Sequence, residues 1–257
     1  MNKFSKYFYT TCVYIFLYLP IAIVIVFSFN NAKHSLVWQG FTFKWYASLF
    51  HDSALLNIAW HSLVLGIIAA SIATIIGTLT AVALFRYRFF GKKILHALIF
   101  ILILTPEIVM AISLLLLYSF LKIPLGFWTL LLAHTALCVP FVTVTVYSRI
   151  TTLDTAIFEA AMDLGATDFT IFHKIIIPLL LPAIASGWLL SFTLSLDDVI
   201  ISYFVSGPDF NILPLKIYSM VRLGVKPEVN ALCTLMLIFT LFAVITSYQS
   251  IFKKKTP

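Results

Sequence analysis

The sequence predicts an all-α membrane protein whose chain crosses the bilayer six times. Hydrophobic residues make up 61% of the 257 residues and charged residues only 11%, whereas a soluble domain carries roughly 25% charged residues. Lys and Arg stand at the ends of long apolar runs and not together on a soluble face. The net charge of +7 therefore indicates orientation in a membrane and not nucleic-acid binding.

A helix that spans the hydrocarbon layer needs about 20 apolar residues. Lys3 and Lys6 precede the first run as they would in a signal peptide. No small-residue cleavage site follows, and the run is longer than a signal core, so we expect a retained helix. The predicted spans are 12–29, 61–85, 94–121, 127–148, 179–205 and 231–251.

The charges on the connecting segments orient these spans. With both termini in the cytoplasm, the inner side holds eleven Lys and Arg residues and the outer side six. The clusters "RYRFFGKK" at 86–93 and "KKK" at 253–255 then lie at inner helix ends, as the positive-inside rule requires. A single domain, 1–257, is predicted, with 30–60 and 206–230 outside and 149–178 inside.

Both outer segments contain membrane-interface features. Trp38, Trp45 and Tyr46 lie just beyond the first span, and such residues are typical anchors at the headgroup level. The segment 206–230 is apolar enough to form a short helix against the membrane. Lys216 and Arg222 would disfavour a cation path there, so we expect them to face water or a soluble binding protein.

Residues 149–178, called here the EAA segment, predict an ordered helical pair outside the lipid. A loop that only joins two spans needs a few residues, and this segment has roughly thirty. "EAAMDL" favours a helix that ends at Gly165, which suits the left-handed C-cap position. Thr167 or Asp168 can begin the next helix, and Pro178 either stops that helix or marks entry into the fifth span. The pattern indicates a docking surface for a soluble partner.

Three acidic residues, Glu107, Asp197 and Asp198, fall inside predicted spans. Glu107 stands about 21 Å beyond Lys93, and the aspartates stand about 22–24 Å beyond Pro182, at 1.5 Å per residue. All three therefore reach a similar depth, at or beyond mid-bilayer. A charged side chain at a helix centre costs about 2.5–3.5 kcal/mol.

Two interpretations of these acids stay open. They are protonated or hydrogen-bonded to neighbours such as Thr105, Ser195 and Ser202, or they line a water-filled path. A cation 4 Å from one carboxylate gains about 4 kcal/mol at an effective dielectric near 20, and no Lys or Arg lies inside a span as a counter-ion. The path interpretation therefore predicts a cationic solute.

Adjacent helical residues point about 100° apart, so Asp197 and Asp198 cannot face the same way. We expect Asp198 to face the path and the other aspartate to cap a break or meet a partner subunit. Trp188 and Tyr203 supply either cation–π contacts or ordinary packing. Two further residues lie inside spans: Pro106 is expected to kink the third span, and His134 is interpreted as a satisfied interior histidine.

The spacing of the EAA segment resembles a known family. The pattern resembles the cytoplasmic loop of permease subunits of bacterial ABC importers, with Ile177 where leucine is usual. Segments such as "TPEIVMAISLL" and "SFTLSLDDVIISYFVSGP" are similar to the spermidine/putrescine branch of that family, and the likeness covers essentially the whole chain. The residues that match the loop pattern are Glu159, Ala160, Ala161, Gly165, Ile175 and Pro178.

The resemblance implies a non-catalytic permease of the type I ABC importer kind, in a bacterial inner membrane, that binds no cofactor or metal itself. ATP and Mg would be used by a separate ATPase docked on the EAA segment. No G-x-x-x-x-G-K-[ST] phosphate loop occurs in the sequence. The implied partners are a second related permease, two ATPase copies, a periplasmic polyamine-binding protein and membrane lipid.

Two alternatives remain. One is an ABC permease for another small cationic or amine-bearing solute. The other is an ion-coupled secondary transporter that uses the intramembrane acids as proton sites, which leaves the EAA segment unexplained.

Overall fold

The computed structural model describes residues 3–32, 37–208, 210–224 and 226–252, so the basic run at 253–255 lies outside the described residues. Within them the chain is helical, with one isolated β-bridge between Asn30 and Phe41. The predicted all-α class is confirmed. The helices are α1 (Lys3–Phe27), α2 (Lys44–His51), α3 (Ser53–Arg86), α4 (Lys92–Leu104), α5 (Glu107–Phe120), α6 (Phe127–Ile150), α7 (Ala156–Asp163), α8 (Asp168–Ile171), α9 (Ile177–Asp197), α10 (Ile200–Val205), α11 (Leu213–Arg222) and α12 (Pro227–Phe252), with a π-helical turn, Phe172–Ile176, between α8 and α9.

Four helical stretches in the described residues are long and apolar enough to cross a membrane. The pair α4 and α5 gives a fifth crossing if it is counted as one bent span. The sixth predicted segment, 231–251, coincides with α12, which is apolar over Pro227–Phe242. The four stretches are Tyr7–Phe27, Ser53–Arg86, Phe127–Ile150 and Asp168–Asp197.

The third predicted span is broken in the middle. Thr105 and Pro106 have extended backbone, with ψ of 130° and 132°, and α4 and α5 meet at 111° across them. Proline disfavours the helical conformation in the residue before it and offers no N–H to the preceding turn. The kink predicted at Pro106 is present, but it is a sharp break, and 94–121 is not one continuous helix.

The chain divides into two compact units, and the larger contains Trp60–Pro214. Its helices α3, α6 and α9 pack at close range around Val142. A Cβ placed on Gly77 of α3 would lie 2.7 Å from the Val142 Cβ, and one on Gly187 of α9 would lie 3.3 Å from its Cγ1. Ala73 and Ala81, one turn to either side of Gly77, are fully buried. Small residues four apart allow helix backbones to approach closely in membranes.

The other unit contains the chain up to Ala59 and Leu215–Ala243. Its outer segment folds around the buried side chain of Asn30, which donates to the Val37 carbonyl at 2.7 Å and accepts from the Gln39 N–H at 2.9 Å. Trp45 donates its indole N–H to the Asn30 carbonyl at 2.8 Å, and the Tyr46 hydroxyl bonds to Ser28 at 2.6 Å. These two aromatic residues therefore hold the segment together.

Segment 206–230 contains the short helix predicted there, α11. Lys216 and Arg222 are exposed on it, as expected, and the guanidinium of Arg222 lies 5.6 Å from the Tyr218 ring centroid.

Candidate functional site

The EAA segment folds as two helices joined by a tight turn. At the end of α7, Gly165 adopts φ +82°. Its N–H donates to the Met162 carbonyl at 2.9 Å, and the Ala166 N–H donates to the Ala161 carbonyl at 3.0 Å. These two bonds make a Schellman motif, in which the left-handed residue is usually glycine. The predicted C-cap role of Gly165 is confirmed.

The second helix starts at a side-chain cap. The Thr167 hydroxyl accepts from the Thr170 N–H at 3.3 Å, so Thr167 is the N-cap. Asp168 instead pairs with Arg86, the last residue of α3. Since Asp168 is largely exposed, the pair is worth at most about 1 kcal/mol. It nevertheless fixes where the start of α8 lies against α3.

The helix that begins at Asp168 does not stop at Pro178 but continues to Asp197. In the π-helical turn just before the proline, the Ile177 N–H bonds to the Phe172 carbonyl, five residues back. A wider turn of this kind relieves the clash and the missing N–H that proline brings into a helix. Of the two roles predicted for Pro178, the structure shows entry into the span.

The inner face of the EAA segment belongs to the core of the larger unit. Phe158 of α7 is buried, with its ring centroid 6.1 Å from that of Phe85 in α3. Ile171 and Ile176 are almost fully buried in the same apolar cluster as Val146 of α6, and Ile175 packs against that cluster. Packed interiors transmit displacement, so a push on this segment reaches α3, α6 and α9.

The other face of the segment is exposed and unusually apolar. Leu164 and Phe169 are 89% and 77% exposed, and Ile157 and Met162 are exposed as well. Glu159 and Ala160 lie on the exposed side of α7, whereas Ala161 is half-buried. Several large apolar side chains exposed on one short segment make it a candidate interaction surface.

Glu107 is the first residue of α5, directly after the break at Pro106. Its side chain is exposed, and the positive end of a helix stabilises a carboxylate in the first turn. Thr105, one of the hydrogen-bonding neighbours considered, donates to the Ile101 carbonyl at 2.7 Å. In the described part of the chain Glu107 forms no ion pair with a Lys, Arg or His side chain.

Asp198 caps a helix within a buried network, here called the histidine network: His134, Ser195, Asp198 and Ser202. The Asp198 carboxylate accepts from the N–H groups of Ile201 and Ser202 at 3.2 and 2.8 Å and from the Ser202 hydroxyl at 2.7 Å. His134 Nδ1 lies 2.7 Å from the Ser195 hydroxyl and Nε2 lies 2.9 Å from the Ser202 hydroxyl. Because Ser202 gives its only proton to Asp198, His134 Nε2 is the donor to Ser202.

This network corrects one expectation and confirms another. Asp198 is only 6% exposed and holds the break between α9 and α10, so it does not face an open path. Asp197, the last residue of α9, is the exposed aspartate. The interpretation of His134 as a satisfied interior histidine is confirmed, since both ring nitrogens have partners.

The two aromatic candidates differ in their surroundings. Trp188 donates its indole N–H to the Ser71 hydroxyl at 3.1 Å and stacks on Phe192 with ring centroids 5.3 Å apart, so it packs within the bundle. Tyr203 is 58% exposed and meets Phe204 edge to face. No group of three or more His, Cys, Asp or Glu side chains in the described ranges is arranged to hold a metal ion.

Comparison with known proteins decides the family. A family described as "binding-protein-dependent transport system inner membrane component" matches residues 62–256. The chain belongs to this family. It is 55% identical over 96% of its length, and over 94% of the relative's, to the spermidine/putrescine transport system permease protein PotC of Escherichia coli K12. The putrescine transport system permease protein PotI of the same strain is 44% identical, covering 86% and 82% of the two chains.

Solved structures support the fold of such permeases. A bacterial ABC transporter involved in the import of the acidic polysaccharide alginate contains a chain that superposes with a TM-score of 0.78, covering 98% of this chain and 96% of that one. The sequence identity is 14%, so the likeness concerns the fold alone. The family match and the relatives, and not this fold likeness, make the chain a multi-pass inner-membrane permease subunit.

In this permease, sequence reasoning missed the residues that attach the EAA segment to the bundle. Phe158 lies directly before Glu159, outside the residues that match the loop pattern, so the pattern does not mark it. The Arg86–Asp168 pair joins positions 82 residues apart. A signal for the histidine network was present in the sequence, because Ser195, Asp198 and Ser202 are spaced three and four apart and would share one face of a continuous helix.

Proposed function

We propose that this chain is a permease subunit of an ATP-driven importer for polyamines such as spermidine and putrescine. The observation that carries the proposal is the 55% identity, along nearly the whole chain, with a permease named for those two solutes. Polyamines are flexible cations, and a path for them needs exposed carboxylates at membrane depth without cationic neighbours. Asp197 and Glu107 meet that description.

Asp197 is the stronger candidate for contact with the solute. It lies at the C-terminal end of α9, where the helix dipole adds partial negative charge to that of the carboxylate. Broken helices whose C-terminal ends coordinate cations recur in transporters. Asp198 supports this arrangement indirectly, because its hydrogen bonds hold the break that leaves Asp197 exposed.

The partners are also part of the proposal. The chain forms half of the path with a second, related permease, and a periplasmic binding protein delivers the solute. Two ATPase copies use ATP and Mg, and one of them seats on the exposed apolar face of the EAA segment. Closure of the ATPases displaces that segment, and the packing of Phe158 and Ile171 carries the displacement into the bundle.

Replacing Asp197 with asparagine tests the proposed path. We expect the uptake rate of labelled spermidine to fall about fivefold or more in cells without other polyamine uptake, because a cation 4 Å from a water-exposed carboxylate loses about 1 kcal/mol of attraction when that carboxylate is neutralised. The amount of assembled transporter in the membrane should stay unchanged. The matched control is Glu228→Gln, which neutralises a carboxylate in the first turn of α12.

Unchanged uptake with Asp197→Asn would remove this residue from the path. The same assay decides the cargo when unlabelled putrescine, spermidine or another small amine competes with the label. Competition by a different amine alone would favour an ABC permease for that solute.

A further inference from the structure

The loop between α3 and α4, residues 86–93, is called here the basic loop. It carries four cationic residues in eight positions, and no Asp or Glu occurs in the sequence between Asp52 and Glu107. Arg86 is paired with Asp168. Lys92 donates to the Tyr87 carbonyl at 3.1 Å, whereas Arg88 and Lys93 are exposed and form no ion pair in the part of the chain that the structure describes.

Exposed aromatic rings lie between these cations. Phe90 is fully exposed, at 102% of its reference area, and Phe89 is exposed as well. Around them the chain forms an open concavity of about 700 Å³. Its lining includes Arg88, Phe89, Phe90, Lys92, Lys93 and His96.

The length of the loop places this concavity in the headgroup layer. Residues 87–91 separate two helices that belong to membrane-crossing segments. A loop of this length that leaves and returns reaches only about 8 Å beyond the helix ends. The headgroup layer is about 5–8 Å thick on each side. A soluble partner would have to enter that layer, whereas lipid headgroups already fill it.

We propose that the basic loop is a binding site for an anionic phospholipid of the inner leaflet. Arg88, Lys92 and Lys93 contact the headgroup phosphates, and the Phe90 ring lies at the boundary with the acyl chains. Clusters of basic residues beside a span attract anionic lipids, and aromatic rings are favoured at that level. The proposal rests on the membrane orientation and does not depend on the transported solute.

Native mass spectrometry of the purified protein, titrated with phosphatidylglycerol or phosphatidylcholine in detergent, tests this site. We expect the unaltered protein to prefer phosphatidylglycerol, and the preference to weaken as ammonium acetate is raised. In a triple variant, Arg88→Gln with Lys92→Gln and Lys93→Gln, the affinity for phosphatidylglycerol should fall about tenfold or more, since each basic residue near the surface contributes about fivefold.

A second triple variant controls for the loss of three charges. This variant combines Lys122→Gln, Lys216→Gln and Arg222→Gln, at three residues that lie in segments predicted on the outer side. It should leave the preference for phosphatidylglycerol intact. Phe90→Ser, a single change at an exposed position, should weaken lipid binding even if the basic triple variant does not fold.

Three results would overturn the proposal. The first is equal affinity of the unaltered protein for the two lipids, and the second is a preference that persists in a basic triple variant that still co-purifies with the ATPase. The third is a triple variant that keeps its lipid preference but no longer co-purifies with the ATPase, which would make the basic loop a protein-docking surface.

Discussion

Replacing Asp198 with alanine is expected to remove most of the folded protein from the membrane. The Asp198 carboxylate is 6% exposed and accepts three hydrogen bonds, from the N–H groups of Ile201 and Ser202 and from the Ser202 hydroxyl. Each buried donor left without a partner costs about 1–3 kcal/mol. The sum is comparable with the whole stability of a typical domain, about 5–15 kcal/mol.

The loss extends beyond the carboxylate because Ser202 also accepts from His134 at 2.9 Å. Without Asp198 the Ser202 hydroxyl loses its acceptor, so the arrangement in which Ser202 accepts from His134 is no longer fixed and the link between α6 and α10 weakens. The measurements are the amount of protein in the membrane and its thermal unfolding in detergent. Asp198→Asn should have an intermediate effect, since the amide keeps one acceptor oxygen.

Asp197→Ala is the matched control for stability. It removes a carboxylate one residue away that is exposed and forms no hydrogen bond in the described residues. Its midpoint of unfolding should stay close to that of the unaltered protein. Equal unfolding midpoints for Asp197→Ala and Asp198→Ala would contradict the role given to the histidine network.

Local signals in the sequence predicted the turn of the EAA segment because the governing interactions lie within a few residues. Gly165 needs only its own backbone conformation and the carbonyls of α7, and Thr167 caps a helix through a residue three positions on. The spans are equally local, since the length of an apolar run sets them.

Contacts between residues far apart in the sequence determine the features that local signals did not predict, namely the partners of His134 and which aspartate is buried. His134 meets Ser195 and Ser202 across 61 and 68 residues. The helical period showed that Asp197 and Asp198 diverge, but which one turns inward depends on where α6 lies. No proline or glycine marks the break between α9 and α10, so only the network itself accounts for it.

The angle between α4 and α5 at Pro106 also depends on contacts between residues far apart in the sequence. Proline predicts a local interruption, but its size depends on how α5 packs against neighbouring elements. Tyr118 of α5 is buried, and its hydroxyl donates to the Thr129 carbonyl of α6 at 3.2 Å. Packing of this kind holds α5 at 111° to α4.

Replacing Gly165 with valine is expected to lower ATP-driven uptake strongly while leaving the protein in the membrane. At φ +82° a residue with a Cβ is strained by roughly 1–2 kcal/mol, and a β-branched residue by more. A Cβ at this position would meet no atom within 4 Å, so the change strains the backbone without a clash. The least costly relief is to open the turn, which breaks the bonds of Gly165 to Met162 and of Ala166 to Ala161 and changes the angle between α7 and α8.

Uptake of labelled spermidine and co-purification of the ATPase from detergent measure this effect separately. We expect uptake to fall about tenfold or more. The exposed apolar face of the EAA segment and its inner face, which packs in the core of the larger unit, then no longer move together. Gly40→Val is the matched control, because Gly40 has φ +117° and equally open surroundings but lies in the segment predicted outside. It should leave ATPase co-purification unchanged. Normal uptake with Gly165→Val would mean that the turn does not transmit the motion, because the strain would then be present without consequence for transport.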